Sequence, residues 1–209
     1  MRGSRSAISP VAAAFEIVPE SESRVLDLAT IFGRAAPLEV DLGCGDGVFL
    51  TELASLNRER NFLGIERMLG RVRGACLRFA RLELTNARIL KVDIAHAVQQ
   101  LLAPASVEVF YLLFSDPWPK RRHHERRVFT TELLESLARA LVADGRFCVA
   151  TDDTDYFNAM MRVVRRSEVF ELTDETFGSD LPNTTFEKRF LERGMEIHRF
   201  VLRKVSAPR

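Results

Sequence analysis

Four carboxylates stand where short apolar runs end: Asp41 before the turn Gly43-Cys44-Gly45-Asp46-Gly47, Glu66 after 62–65, Asp93 after 87–92 and Asp116 after 107–114. Alternate glycines let the backbone turn tightly and let a ligand approach where no Cβ intervenes. An acid about 20 residues beyond such a turn, at the end of the next strand, can accept hydrogen bonds from ribose hydroxyls. Glu66 fits that description, and its plainer role is to cap a helix. Asp93 can accept from the amino group of an adenine ring or cap the helix that starts near Ala95. A dinucleotide fingerprint calls for Gly-x-Gly-x-x-Gly, and Val48 holds the place of its third glycine, which counts against hydride transfer.

The stretch 115–127 is the most informative. Asp116 ends the most continuously apolar run of the chain, where a functional group faces the ligand crevice of an open sheet. Pro117 and Pro119 stiffen the turn around Trp118, whose ring can stack on a base or anchor a packed loop. Lys120, Arg121, Arg122, Arg126 and Arg127 follow, opposed by Glu125 alone. Phosphates supply most of the affinity for nucleic acid, so cations beside a pocket suit an RNA. His123 and His124 are adjacent with no companion at ligand spacing, so no metal site is expected. Downstream, Thr151-Asp152-Asp153 closes another apolar run, and Thr184 with Glu187 reads as a capping box that starts a helix.

These residues need a scaffold that collects strand ends. Strands are expected at 38–42, 62–65, 87–92, 107–114, 147–150, 169–172 and 196–201. Helical spacing lies between them, through Phe49 and Leu53, Val72 to Ala80, Phe129 to Leu141, and Phe157 to Val164. Such alternation predicts an α/β fold, a doubly wound sheet with helices on both faces. Residues 1–30, rich in Ser, Ala and Pro, are set aside as an arm, and 31–209 as a single domain. The formal net charge of +1 requires any RNA contact to come from local clustering of cations. The three cysteines, without metal spacing, read as buried, reduced thiols of an intracellular chain. No run approaches the roughly 20 apolar residues that span a bilayer. A cytoplasmic protein is expected, with monomer and homodimer both open.

Together the glycine turn, Gly64-Ile65-Glu66, Phe114-Ser115-Asp116-Pro117-Trp118-Pro119-Lys120 with its Arg-His tail, Thr151-Asp152 and Thr184-Thr185-Phe186-Glu187 resemble the bacterial tRNA (guanine-N7-)-methyltransferase family. The resemblance runs from about Ile31 to Lys204. It implies a Rossmann-like sheet of seven strands binding S-adenosylmethionine at the point where the strand order reverses. On that basis Asp41, Gly43, Gly45, Glu66, Asp93 and Asp116 line the cofactor side. Asp116 is also the catalytic candidate. Lys120, Asp152, Thr184, Thr185, Phe186 and Glu187 hold the substrate guanosine, and Trp118, Arg121, Arg122, Arg126 and Arg127 contact the RNA. The implied target is a variable-loop guanosine of tRNA. This chain departs from the family at Asp41, where Glu is usual, and in its arm before Ile31. The alternatives are a methyltransferase of another RNA base and a non-catalytic RNA-binding module.

Overall fold

In a computed structural model, which describes residues 9–21, 23–177 and 181–205, the alternating runs form one sheet covered by helices on both faces. The chain enters through α1 (Pro10–Ala13), β1 (Glu16–Ile17) and α2 (Leu28–Phe32). It continues as β2 (Leu38–Leu42), α3 (Val48–Leu56), β3 (Asn61–Ile65), α4 (Leu69–Arg81), β4 (Ala87–Leu90) and α5 (Ile94–His96). Then come β5 (Val107–Leu113), α6 (Thr131–Ala140), β6 (Leu141–Thr151), α7 (Thr154–Val164), β7 (Phe170–Leu172), α8 (Thr185–Glu192) and β8 (His198–Lys204).

The strand order is β1-β4-β3-β2-β5-β6-β8-β7, with β8 antiparallel to both of its neighbours. Successive crossovers leave β2 in one direction toward β3 and β4, and the chain then returns to place β5 on the other side of β2. The reversal between β2 and β5 opens a crevice beyond their C-terminal ends. Period-two alternation divides the core. Phe110 and Leu112 face one apolar layer with α6 and α7, whereas Val109 and Tyr111 face the other with α3 and α4. Helices on both faces leave β2 and β3 buried at every position, including the polar Glu39, Asp41 and Asn61.

The sheet has eight strands, not the seven expected. The additional one is β1, where Glu16 and Ile17 pair in parallel with Ile89 and Leu90 at the outer edge of β4. Ala12 and Ile17 are buried, and the Ile89 amide donates to the Phe15 carbonyl. Residues 10–17 of the stretch set aside as an arm are thus tied to an otherwise open edge. Two residues are too few to display a period, so the sequence carried no sign of this strand. β6 also begins earlier than its apolar run. Leu141 pairs with Val107 and Arg146 with Val109, and the intervening residues bulge, with Asp144 at a φ of +58°.

Candidate active site

The glycine turn is held against the end of β3, since the amides of Gly43 and Cys44 both donate to the Ile65 carbonyl. Two glycines are required there. Gly47 has a φ of +74°, and a Cβ on it would lie 2.8 Å from the Ala75 Cβ of α4. A Cβ on Gly64 would lie 2.6 Å from the Cys44 Sγ. The turn therefore packs on both α4 and β3 with no room for side chains at those points.

Around this turn the strand ends converge. Asp41 lies in β2 between Gly64 of β3 and Tyr111 of β5 and is only 4% exposed. Burial, and after it the charge of Glu66, pushes its carboxyl up to about 7. No donor within the described residues offsets that burial. Glu66 is 5% exposed. One of its oxygens accepts from the Met68 amide at 2.8 Å and the other lies 3.5 Å from Arg71. It therefore does support the start of α4, as a capping carboxylate would. Asp93 is exposed and caps α5, accepting from the Ala95 amide at 2.9 Å. Two buried carboxylates beside a glycine turn, one of them without a compensating donor, are suited to a ligand that brings a cation and hydroxyl groups.

The Asp116 loop leaves β5 under strain. Phe114 and Trp118, on either side of it, have φ values of +55° and +45°, each costing roughly 1–3 kcal/mol for a bulky residue. Asp116 itself is exposed. Lys120, also exposed, precedes a 3-10 helix, Arg121–Arg126, that presents Arg121, Arg122 and Arg126 to solvent. The Arg126 guanidinium lies 5.0 Å from the centre of the Trp118 ring, and His123 meets the same ring edge-on. Arg127 differs from its neighbours in being 8% exposed, with its guanidinium engaged inside the protein.

The distant substrate candidates arrive from the other side. Thr184 and Glu187 form a reciprocal capping box at the start of α8, with Thr185 as its first residue. Phe186 is 45% exposed and stacks on Phe190, which in turn lies against Phe114 at 5.4 Å. α8 is thereby joined to the root of the Asp116 loop. Asp152 follows the end of β6, where Thr151 pairs with His198 and Ala150 with Arg199 of β8. Arg199 makes an ion pair with Glu187.

Arg199 and His198 were not singled out from the sequence. His198 stacks on Phe157 at 4.6 Å and its Nε2 lies 3.0 Å from the Thr154 hydroxyl. Both residues sit in an antiparallel strand that enters the sheet at the crevice end, and no local pattern announces that placement.

A family model described as "Putative methyltransferase" matches residues 35–200. A tRNA (guanine-N(7)-)-methyltransferase from Halorhodospira halophila is 39% identical over 87% of this chain and 81% of its own length. One from Chromobacterium violaceum is 33% identical over 88% and 83%. The chain belongs to the tRNA (guanine-N7)-methyltransferase family. Solved structures of the antibiotic-resistance methyltransferase Kmr and of the 16S rRNA methyltransferase KamB share its fold. Both have a TM-score of 0.62 at 16% identity; they cover 91% and 88% of this chain, and 96% and 95% of those chains are matched. Among the described residues no helix is long and apolar enough to cross a membrane.

Proposed function

We propose that this chain transfers a methyl group from S-adenosylmethionine to N7 of a variable-loop guanosine in tRNA, in the cytoplasm. The observation that carries the reading is kinship along most of the chain with relatives of that name. The strand-end carboxylates and the basic loop supply a physical rationale for it.

The buried carboxylates fit the cofactor. Asp41 and Glu66, with the backbone of Gly43 and Gly45, would hold its ammonium and ribose groups, and Asp93 its adenine amino group. When bound, S-adenosylmethionine supplies an electrophilic methyl group. Guanine N7 has an in-plane lone pair and needs no deprotonation, so the protein's work is alignment and electrostatics. Positive charge develops on the guanine ring, and Asp116 stabilises it and holds the donor edge of the base. Lys120, Asp152 and Thr184 to Glu187 position the nucleoside.

N7 lies in the deep groove of an RNA helix that side chains reach poorly, so the base must leave its stack. Trp118 receives the exposed base, and Arg121, Arg122 and Arg126 bind the flanking phosphates.

The test is transfer of label from S-adenosylmethionine into unmodified tRNA, followed by base-resolved detection of 7-methylguanosine. Label at a variable-loop guanine is the expected result. Label at another base, or none despite measurable cofactor binding, defeats the proposal.

A further inference from the structure

The cations of the 120–127 stretch do not share one environment. Arg126 faces solvent beside Trp118, whereas Arg127 is buried and three contacts occupy its side chain. Its Nε donates to the Pro117 carbonyl at 2.7 Å, and its Nη2 donates to the Asp155 carboxylate of α7 at 3.0 Å. The guanidinium carbon, Cζ, lies over the Tyr156 ring, 4.8 Å from its centre. Tyr156 is itself buried and accepts from the Phe129 amide at 3.2 Å. Held by these contacts and only 8% exposed, the guanidinium is turned into the protein, whereas that of Arg126 is open to solvent.

Pro117 directly follows Asp116, and the residues at 114 and 118 both hold positive φ angles. Such backbone persists only where surrounding contacts over-determine it. One end of the loop is held by the Phe114 amide, which donates to the Ala150 carbonyl at 2.8 Å. Beyond the ring contacts of Phe114 and Trp118, Arg127 supplies a polar hold, reaching back across the loop to the Pro117 carbonyl.

We infer that Arg127 is a positioning residue, which fixes the Asp116 carboxylate by clamping the Pro117 carbonyl to the start of α7, and that it takes no part in binding RNA phosphates. The inference rests on the role proposed above for Asp116. It reassigns Arg127 from the RNA-contact group to which its sequence context pointed.

Lysine keeps the charge but cannot reproduce the fork that spans two acceptors. In the full chain, Arg127→Lys should lower kcat by about 100-fold, the scale of a small misplacement of reacting groups, and leave the KM for tRNA unchanged. In Arg127→Gln, which removes the charge, the salt dependence of tRNA binding should stay that of the unsubstituted chain, whereas Arg126→Gln should reduce its slope by about one. Trp118 is the only tryptophan in the chain, so its fluorescence reports on this loop alone. Acrylamide quenching of Trp118 should increase in Arg127→Lys.

A reduced salt slope in Arg127→Gln with kcat retained in Arg127→Lys would make Arg127 a phosphate ligand and overturn the inference, as would unchanged quenching in Arg127→Lys. If Arg127→Lys fails to fold, Asp155→Asn removes one anchor at an exposed carboxylate and should shift kcat and quenching the same way. Where both variants fold, their effects on kcat should combine less than additively, because they act through one clamp. Full additivity would refute the clamp. Should the unsubstituted chain transfer no methyl to tRNA, the function proposed above fails, and the quenching result still decides the role of Arg127.

Discussion

Two carboxylates of this molecule have opposite surroundings. Asp41 is sealed between β3 and β5 beside a second acid, and Asp116 stands exposed on a strained loop. The raised Asp41 carboxyl has a consequence for stability. Its usual value is 3.8 and its folded value about 7, so between them the folded chain holds a proton that the unfolded chain releases. Stability therefore falls as pH rises from about 4 to about 7, by on the order of 4 kcal/mol for this group. Asp41→Asn should abolish that fall, making the cofactor-free chain more resistant to urea at pH 8 but not at pH 4. Parallel pH profiles of the urea midpoint would contradict the assignment. For Asp116 the prediction concerns rate. Asp116→Asn keeps the shape and removes the charge, and kcat should drop by about 100-fold or more with tRNA affinity little changed. Steady-state kinetics paired with a direct binding measurement checks this.

At the scale of elements, the crevice depends on how closely the glycine turn fits its neighbours. α3 can start where it does only because Gly47 tolerates a left-handed backbone and leaves space for Ala75. Gly47→Ala should cost about 1–3 kcal/mol in unfolding free energy, combining backbone strain with overpacking, and should weaken cofactor binding as well. Denaturant titration with and without cofactor separates the two effects. α8 shows the same dependence on long-range contact. Its capping box was legible in Thr184 and Glu187 because both partners lie within one helical turn. The ion pair from Glu187 to Arg199 and the aromatic contact from Phe190 to Phe114 were not legible. They join α8 to β8 and to the end of β5, and no local spacing encodes such meetings.

For the whole molecule, the decisive number is a net charge of only +1. A chain so nearly neutral gains no general attraction for a polyanion, and its RNA affinity must reside in a local patch. The exposed cations of the 3-10 helix are the proposed patch, directly beside the Asp116 loop. Arg121→Gln combined with Arg122→Gln should reduce the slope of log affinity against log salt by about two and raise the KM for tRNA. Thermal stability should hardly move, since both side chains are exposed. A slope equal to that of the unsubstituted chain would show that the phosphates are bound elsewhere on the surface.

Sequence by itself determined the order of strands from β2 onward, the doubly wound sheet and the run ends that carry Asp41, Glu66, Asp93 and Asp116. The reason is that apolar period, glycine turns and caps are local properties, expressed within a few residues of one another. Only the tertiary structure decided which side chains are spent inside the protein and which remain for a ligand. Arg126 and Arg127 are neighbours of the same type, yet one lies over Trp118 at the surface and the other is buried between the Pro117 carbonyl and α7. The small edge strand β1 and the placement of Arg199 beside Glu187 were decided in the same way. Each depends on partners far along the chain, and burial and charge pairing acquire values only once those partners meet.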